Sequence, residues 1–518
     1  MSAAKFGGRK SYMRKILLAG AVAALTAMPV LAAPDEENTD KTAAETPADA
    51  IVPQVRTKDL SGTFGGQRIS YTATMQEHVL KGEDDKDEAV IVTTSYVKDP
   101  RDTSRPVFFL FNGGPGSGTV WLMMGAFGPK RVAIPTDGTD DGAPPYPIVD
   151  NPDSLLDVAD LVFIDPPGTG FSYLTDDADP KDYYGLNPDA RAVAKVIRLW
   201  LNENGRWNSP KFLGGESYGT TRSAAVVNQL EGNTYNDVGL NGIVLISTVL
   251  DFALDANVPG NELPYITYIP SMAATALYHG KATAPSTEAF VEEARQFALG
   301  PYATALLKGQ DLPQAERAAV RAELSRFTGL SEQFLENADL RVTPARFYKE
   351  LLRDRGLTVG RLDARYTGRD YDSAGEFADN DPSFYGIDAG YTAAINSWTR
   401  DTLGFETERE YQSIGREPGQ YWTWEPEGIR GGDHYMNVAP YIGRALRENS
   451  GLAVFVGQGW YDFATPFFAA EYSLNRTGIP QDRVGFHYYD AGHMMYVRDE
   501  DRQKLSADLR TFIRQQLQ

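Results

Sequence analysis

Lys211-Phe212-Leu213-Gly214-Gly215-Glu216-Ser217-Tyr218-Gly219-Thr220 contains the pattern Gly-x-Ser-x-Gly, from Gly215 to Gly219. In that pattern a serine sits on a sharp turn between a strand and a helix, with its hydroxyl pushed outward. Both glycines matter, because a side chain at either place would clash with backbone in so tight a turn. The flanks agree with the pattern. Lys211-Phe212-Leu213 reads as the end of a short buried strand, and Thr220 to Leu230 (TTRSAAVVNQL) as a helix whose N-terminus points at Ser217. Short Gly/Ser patterns also arise by chance, so the reading needs partners elsewhere in the chain.

A nucleophilic serine needs a base and an acid to orient it. In a strand-turn-helix setting these follow in the order Ser, then Asp or Glu, then His. The five histidines are His78, His279, His434, His487 and His493. His78 precedes Ser217 and is out of order. His493 lies in Tyr489-Asp490-Ala491-Gly492-His493-Met494-Met495, where the alternating run Val484 to Tyr489 enters a Gly-containing loop. His487 falls inside that run and reads as a packed or edge residue. The run Leu452 to Gly457 is followed by Trp460-Tyr461-Asp462-Phe463, which makes Asp462 the candidate acid and Asp490 the runner-up. Asp490 is too close to His493 along the chain to face its ring easily. A third element, Asn112-Gly113-Gly114-Pro115-Gly116-Ser117-Gly118, follows the apolar run Val107 to Phe111. Such a loop can aim backbone N–H groups at a developing oxyanion, beside the N–H of Tyr218. A phosphate-binding loop would need a following Lys-Ser/Thr, which is missing. A plain turn remains the bland alternative.

Strand-like runs at Val107–Phe111, Leu161–Ile164, Phe212–Leu213, Gly242–Ile246, Leu452–Val456 and Val484–Tyr489 alternate with helical stretches. That alternation predicts an α/β class with a mostly parallel sheet wrapped by helices. Residues 68 to 98 hold two alternating runs and predict an antiparallel β edge. Between 256 and 430 the pattern turns helical, at Thr287 to Leu307, Pro313 to Phe327 and Pro344 to Arg353, with an acidic, aromatic stretch from Gly368 to Tyr385. Asp370-Tyr371-Asp372-Ser373-Ala374-Gly375 begins like a calcium loop, but Ala374, Ala378 and Asp381 stand where ligands and the closing Glu belong. It reads as a solvated acidic loop. Asn475-Arg476-Thr477 is a formal glycosylation sequon.

Asn112-Gly113-Gly114-Pro115-Gly116, Gly215-Glu216-Ser217-Tyr218-Gly219, Asp462-Phe463 and Gly492-His493-Met494 together resemble the serine carboxypeptidase family, in order from about Ser70 to the C-terminus. Asp165-Pro166-Pro167-Gly168-Thr169-Gly170-Phe171-Ser172-Tyr173 also resembles the segment that precedes the family's elbow. The resemblance implies an α/β-hydrolase fold with a mainly helical cap insertion over the site. It implies Ser217 as nucleophile, His493 as base and Asp462 as its orienter, and oxyanion N–H groups on Gly114 and Tyr218. It also implies that Asn112, Gly113 and Glu216 hold the α-carboxylate of a peptide substrate, with Met494 lining the pocket for the C-terminal side chain. A carboxylate receives a carboxylate only if Glu216 is protonated. The family shares that proton with a second glutamate, and the matching position here is Ala126, counted back from Gly128-Pro129. No cofactor is implied. Two other enzymatic readings stay open on the same motifs: an acyltransferase or esterase, and a proline-releasing aminopeptidase in which ionised Glu216 would meet an amine. A binding protein that has kept the scaffold is a further alternative.

The expected organisation is a signal peptide at 1–32, a disordered acidic leader at 33–55, a hydrolase core at 56–255, a cap at 256–430 and the rest of the core at 431–518. Apolar content of 42% suits a full core, and the formal charge of −20 argues against nucleic acid and anionic lipid as partners. The absence of cysteine excludes disulfides and thiolate metal sites. The family's eukaryotic secreted members are disulfide-bonded, so by that comparison the chain looks bacterial. Lys5, Arg9, Lys10, Arg14 and Lys15 precede the apolar run Ile16 to Met28, and Val30-Leu31-Ala32 offers a small-residue cleavage site. This predicts export to the periplasm or beyond, with no membrane contact after cleavage. Pro29 and the shortness of the run count against an uncleaved anchor. Met13 is an alternative start. The exported protein should therefore begin at Ala33 or Pro34; N-terminal sequencing of protein from the extracytoplasmic fraction checks this, and a retained Met1 or Met13 would show an anchor instead.

Overall fold

The computed structural model describes residues 50–232, 236–425, 435–476 and 478–518. The expected signal peptide, most of the expected leader, His434 and Thr477 of the sequon lie outside the described residues.

The sheet strands are, in chain order, β1 (Val55–Phe64), β2 (Gln67–Lys81), β3 (Asp87–Lys98), β4 (Val107–Phe111), β5 (Asp160–Ile164), β6 (Lys211–Glu216), β7 (Gly242–Ile246), β8 (Ala453–Gly459) and β9 (Val484–Tyr489). Their spatial order is β1-β2-β3-β5-β4-β6-β7-β8-β9, and Tyr173–Leu174 adds a short strand beside β3. From β5 to β9 every neighbouring pair is parallel; β1, β2 and β3 form an antiparallel edge. The principal helices are α1 (Leu186–Glu203), α2 (Tyr218–Leu230), α3 (Leu263–Tyr278), α4 (Thr287–Phe297), α5 (Gln314–Thr328), α6 (Ala439–Glu448) and α7 (Asp499–Gln515).

Both faces of the parallel part are covered. Along β4, Phe108 and Leu110 pack with Leu505, Leu509 and Ile513 of α7, while Val107, Phe109 and Phe111 pack against α1, α2 and α6. A strand buried on both faces has no polar side to show, which is why these strands read as unbroken apolar runs. This parallel sheet with helices on both faces, and a serine at the β6–α2 turn, is the α/β-hydrolase fold.

The antiparallel edge has three strands where the sequence showed two. β1 buries only Gly62 and Phe64, so it carries no apolar alternation. It is held instead by a backbone ladder to β2, from Val55↔Gln76 to Phe64↔Gln67.

Strands β7 and β8 are neighbours, yet the chain between them runs from residue 247 to 452. Helices α3, α4 and α5 lie in that connection. Their apolar faces share a cluster with Trp460, Tyr461, Phe463, Phe467 and Phe468, which follow β8. The helix expected from Thr287 to Leu307 is interrupted: α4 ends at Phe297, a wider turn spans Ala298–Tyr302, and Ala303–Lys308 resumes. Pro301 lies in the interruption and has no N–H to continue the ladder.

One buried ion pair ties the helices under the sheet. Arg222 Nε on α2 donates to Asp189 Oδ2 on α1 at 2.6 Å, with side chains 0% and 2% exposed. Arg222 Nη1 also donates to the carbonyl of Asn112. Removing one partner leaves a buried charge alone, which costs about 3–5 kcal/mol. Asp189→Asn should lower the unfolding free energy by about that much in a urea titration; a loss below about 1 kcal/mol would show the pair to be dispensable.

Candidate active site

Strand β6 ends at Glu216 and α2 begins at Tyr218, so the turn between them consists of Ser217 alone. Ser217 stands at φ 61° and ψ −130°, a region most side chains avoid. Its N–H donates to the carbonyl of Ile246 on β7 at 2.9 Å, and its carbonyl accepts from Thr220 N–H at 2.8 Å. A Cβ on Gly215 would lie 2.0 Å from the Gly219 carbonyl oxygen. Gly113 packs against the same turn, where a Cβ would fall 2.5 Å from the Tyr218 nitrogen and 2.7 Å from the Glu216 oxygen. The glycine-rich loop is thus laid directly on the elbow. As the first residue of α2, Tyr218 has an N–H with no carbonyl one turn back inside the helix.

A cavity of about 420 Å³ opens over this turn. Asn112, Gly113, Gly114, Glu216, Ser217, His493 and Met494 all line it. Asp462 lies behind His493 and is fully buried. Of the residues singled out in the sequence, Tyr218 is buried under the elbow, with its ring against Trp422 and Trp424.

Asp462 follows β8, and His493 follows β9. His493 Nδ1 lies 2.8 Å from Asp462 Oδ2. The carboxylate is held on every side. Oδ1 accepts the N–H groups of Ala464 at 2.8 Å and Thr465 at 3.0 Å, and Oδ2 also accepts the Thr465 hydroxyl at 2.7 Å. The His493 backbone is fixed as well: its N–H donates to the Leu362 carbonyl at 2.6 Å, and its carbonyl accepts from the Ser247 hydroxyl at 2.5 Å. Burial presses the His493 pKa down, but the charge and hydrogen bond of Asp462 outweigh it, and the net shift is upward. Among the described residues no hydrogen bond joins the Ser217 hydroxyl to the His493 ring. Contacts of this kind commonly tighten only when substrate is bound.

Glu216 is buried, and burial pushes its carboxyl up to about 7 against the opposing pull of His493, Tyr496 and Asn112. Asn112 Nδ2 donates to Glu216 Oε2 at 3.0 Å, and the Tyr496 hydroxyl donates to the same oxygen at 2.7 Å. Oε1 accepts no hydrogen bond from a described residue. Two donors on Oε2 therefore put the proton of the acid form on Oε1. Ala126, where the resemblance places a second glutamate, is buried in the turn Leu122–Phe127 and lies outside the cavity lining.

The remaining sequence candidates have other partners. Asp490 accepts from the Tyr461 hydroxyl at 2.7 Å, and His487 stacks on Phe455 with ring centres 4.2 Å apart. His78 bonds Thr93 at 3.0 Å, and His279 lies 2.7 Å from the Ala364 carbonyl. In the acidic loop Asp370 pairs with Lys349, while Asp381 accepts the N–H groups of Arg361 at 3.0 Å and Leu362 at 3.2 Å.

Several residues in and behind the cavity lining were not singled out in the sequence. Tyr496 and Thr465 each lie three residues past a candidate, His493 and Asp462, and that spacing is their only local clue. Trp121, Phe384, Ile414 and Arg361 line the cavity from distant parts of the chain.

The family model described as serine carboxypeptidase matches residues 93–296, which span the glycine-rich loop and the elbow but stop short of Asp462 and His493. No curated protein matches the chain. Among solved structures, an enantioselective mutant of the epoxide hydrolase of Aspergillus niger is similar at 11% identity, over 85% of this chain and 78% of that one, with a TM-score of 0.32. The juvenile hormone epoxide hydrolase of the silkworm Bombyx mori is similar at 12% identity, over 86% of this chain and 79% of that one, with a TM-score of 0.32. Likeness so slight says nothing of this chain's activity. The match to the serine carboxypeptidase family over residues 93–296, on a chain whose own topology is that of an α/β-hydrolase, supports a serine hydrolase.

Proposed function

We propose that the protein is an exported serine carboxypeptidase. In this reading Ser217 Oγ attacks the carbonyl of the last peptide bond and His493 takes its proton. Asp462 steadies the imidazolium, and the N–H groups of Gly114 and Tyr218 receive the oxyanion. His493 then gives the proton to the departing amino acid, and water resolves the acyl-enzyme on Ser217. Asn112, Gly113 and Glu216 receive the α-carboxylate of the substrate, with Met494 beside the C-terminal side chain.

The observation that carries this reading is the state of Glu216. It adjoins Ser217 in the chain, lines the same cavity, and is raised to about 7 by burial. Below that pH its Oε1 bears a proton to donate to a carboxylate; above it, two like charges would meet. An amine receptor would want the opposite, a carboxylate kept ionised.

One peptide offered as free acid, C-terminal amide and N-acetylated form separates the readings, with products identified by mass. Removal of the last residue, favoured for the free acid, is expected. Release of N-terminal residues, or equal cleavage of acid and amide at every pH, would leave only the serine hydrolase. Ser217→Ala should lower kcat by roughly 10⁴–10⁶ and abolish labelling by a fluorophosphonate, which should otherwise modify Ser217 alone.

The pH dependence has a sign. KM for free-acid peptides should rise as pH climbs through about 7, where Glu216 ionises, while KM for amides stays flatter. On the acid side kcat should fall, because His493 must be neutral to act as base. The same group affects stability. Its folded pKa is raised from 4.5 to about 7, so its contribution is fully present below 4.5 and is lost as pH rises through 7. Glu216→Gln cannot ionise. It should flatten the KM profile and, above pH 7, unfold at higher urea than the parent, with a gain of at most about 3 kcal/mol. A KM profile unchanged by Glu216→Gln would remove Glu216 from substrate recognition.

A further inference from the structure

Arg361 lies on the long connection between β7 and β8 and lines the cavity together with Ser217, Glu216 and His493. Its backbone is tied down at both ends. The N–H donates to Asp381 Oδ1 at 3.0 Å, and the carbonyl accepts from Phe463 N–H at 3.1 Å. Phe463 is the residue after Asp462, and the neighbouring Leu362 carbonyl receives the His493 N–H at 2.6 Å. Arg361 is therefore fastened to the same two loops that carry the acid and the base.

Its guanidinium is not tied down. It makes no hydrogen bond and no ion pair with any described residue, and the residue is open to solvent. Four positions on, Arg365 shows the usual arrangement: its guanidinium is clasped by Asp363 at 2.6 Å. The carboxylates near Arg361 are spent elsewhere. Asp381 accepts the N–H groups of Arg361, Leu362 and Ser383 and the Ser383 hydroxyl. Asp462 is filled by His493 and Thr465, and Asp255 accepts the Tyr268 hydroxyl at 2.6 Å. The surrounding protein partly desolvates the Arg361 charge, and Tyr348, Tyr268, Asp255 and Asp462 act on it in that order, but among the described residues none of them forms a hydrogen bond or ion pair with it. Among the described residues, no other lysine or arginine lines the cavity.

A guanidinium offers five donors in a planar fork that matches a carboxylate in geometry and charge. Placed beside a nucleophile, with its backbone fixed and its donors unspent, it suits a carboxylate brought by the substrate. We propose that Arg361 receives the acidic side chain of a residue flanking the scissile bond, making the enzyme selective for Asp- or Glu-containing peptides. The proposal rests on the carboxypeptidase reading. In that reading Asn112, Gly113 and Glu216 already hold the α-carboxylate, so a second receiver is left for a side chain.

The test compares parent enzyme with Arg361→Gln and Arg361→Lys. The substrates are N-acyl peptides carrying Glu or Gln on either side of the scissile bond, each as free acid and as C-terminal amide. Arg361→Gln should cut the Glu-over-Gln ratio of kcat/KM by about 10- to 100-fold, chiefly through KM, for at least one flanking position. Arg361→Lys should restore part of the ratio, since the charge returns without the fork. Equal loss on Glu and Gln peptides, or no loss, overturns the proposal. A loss that follows the free α-carboxylate whatever the side chain overturns it too, and assigns Arg361 to the terminus. A parallel pair of p-nitrophenyl esters, of N-acyl-Glu and N-acyl-Gln, needs only a working Ser217. If peptides resist cleavage while the Glu ester keeps an advantage that Arg361→Gln abolishes, the peptidase reading falls and the anion subsite stands.

Discussion

Ser217 is held in a backbone conformation that costs of order 1–3 kcal/mol and persists only because its surroundings over-determine it. Three close approaches do this. Gly215 lies against the Gly219 carbonyl, Gly219 against the Phe111 and Asn112 carbonyls, and Gly113 against the Tyr218 nitrogen. None of these would survive a Cβ. Asn112 then joins the parts: its carbonyl accepts from Arg222 on α2, its Oδ1 from the Leu122 N–H, and its Nδ2 donates to Glu216. Elbow, glycine-rich loop and Glu216 are thereby joined through one asparagine.

The other half of the site arrives from the far end of the chain. In a parallel sheet all the strand C-termini lie on one edge, so loops after β6, β8 and β9 meet although they are far apart in sequence. The connection between β7 and β8 does more than pass over them. Leu362 holds His493 through its carbonyl, Arg361 holds Phe463, and Ser247, at the start of the same connection, holds the His493 carbonyl. His493 and Asp462 are positioned by the insertion as much as by the strands that deliver them.

This division explains what the sequence could disclose. The elbow was legible because its constraint is local, with glycines at fixed offsets from a serine between a strand and a helix. Asp462 and His493 were legible because each follows an apolar run by a few residues. Tyr496 was not, since its bond to Glu216 spans 280 residues and leaves no pattern. Asp381 sits in the acidic, aromatic stretch and Arg361 in the aperiodic segment just before it, where only the folded backbone shows which charges are spent. β1 was missed for a related reason: a ladder held by backbone groups needs no apolar alternation.

Ala126 led the sequence reading to expect a receptor lacking its second carboxyl, and the structure sets a phenol against Glu216 instead. The two devices differ in kind. A pair of carboxyls shares a proton, and mutual repulsion keeps it there. A phenol only donates, and burial drives the Tyr496 hydroxyl far above its ordinary pKa, so it stays neutral while Glu216 titrates. Tyr496 and Asn112 favour the carboxylate form of Glu216, burial favours the acid, and burial prevails by enough to leave the group near 7. Asp462 meanwhile lifts His493 above its ordinary value. The proton that suits Glu216 and the vacant Nε2 that suits His493 are thus demanded in opposite directions of pH, across the same cavity. A site so built cannot be optimal for both at once. Under the proposed function it trades recognition against proton transfer, and the balance is set by one tyrosine hydroxyl and the depth at which Glu216 is buried.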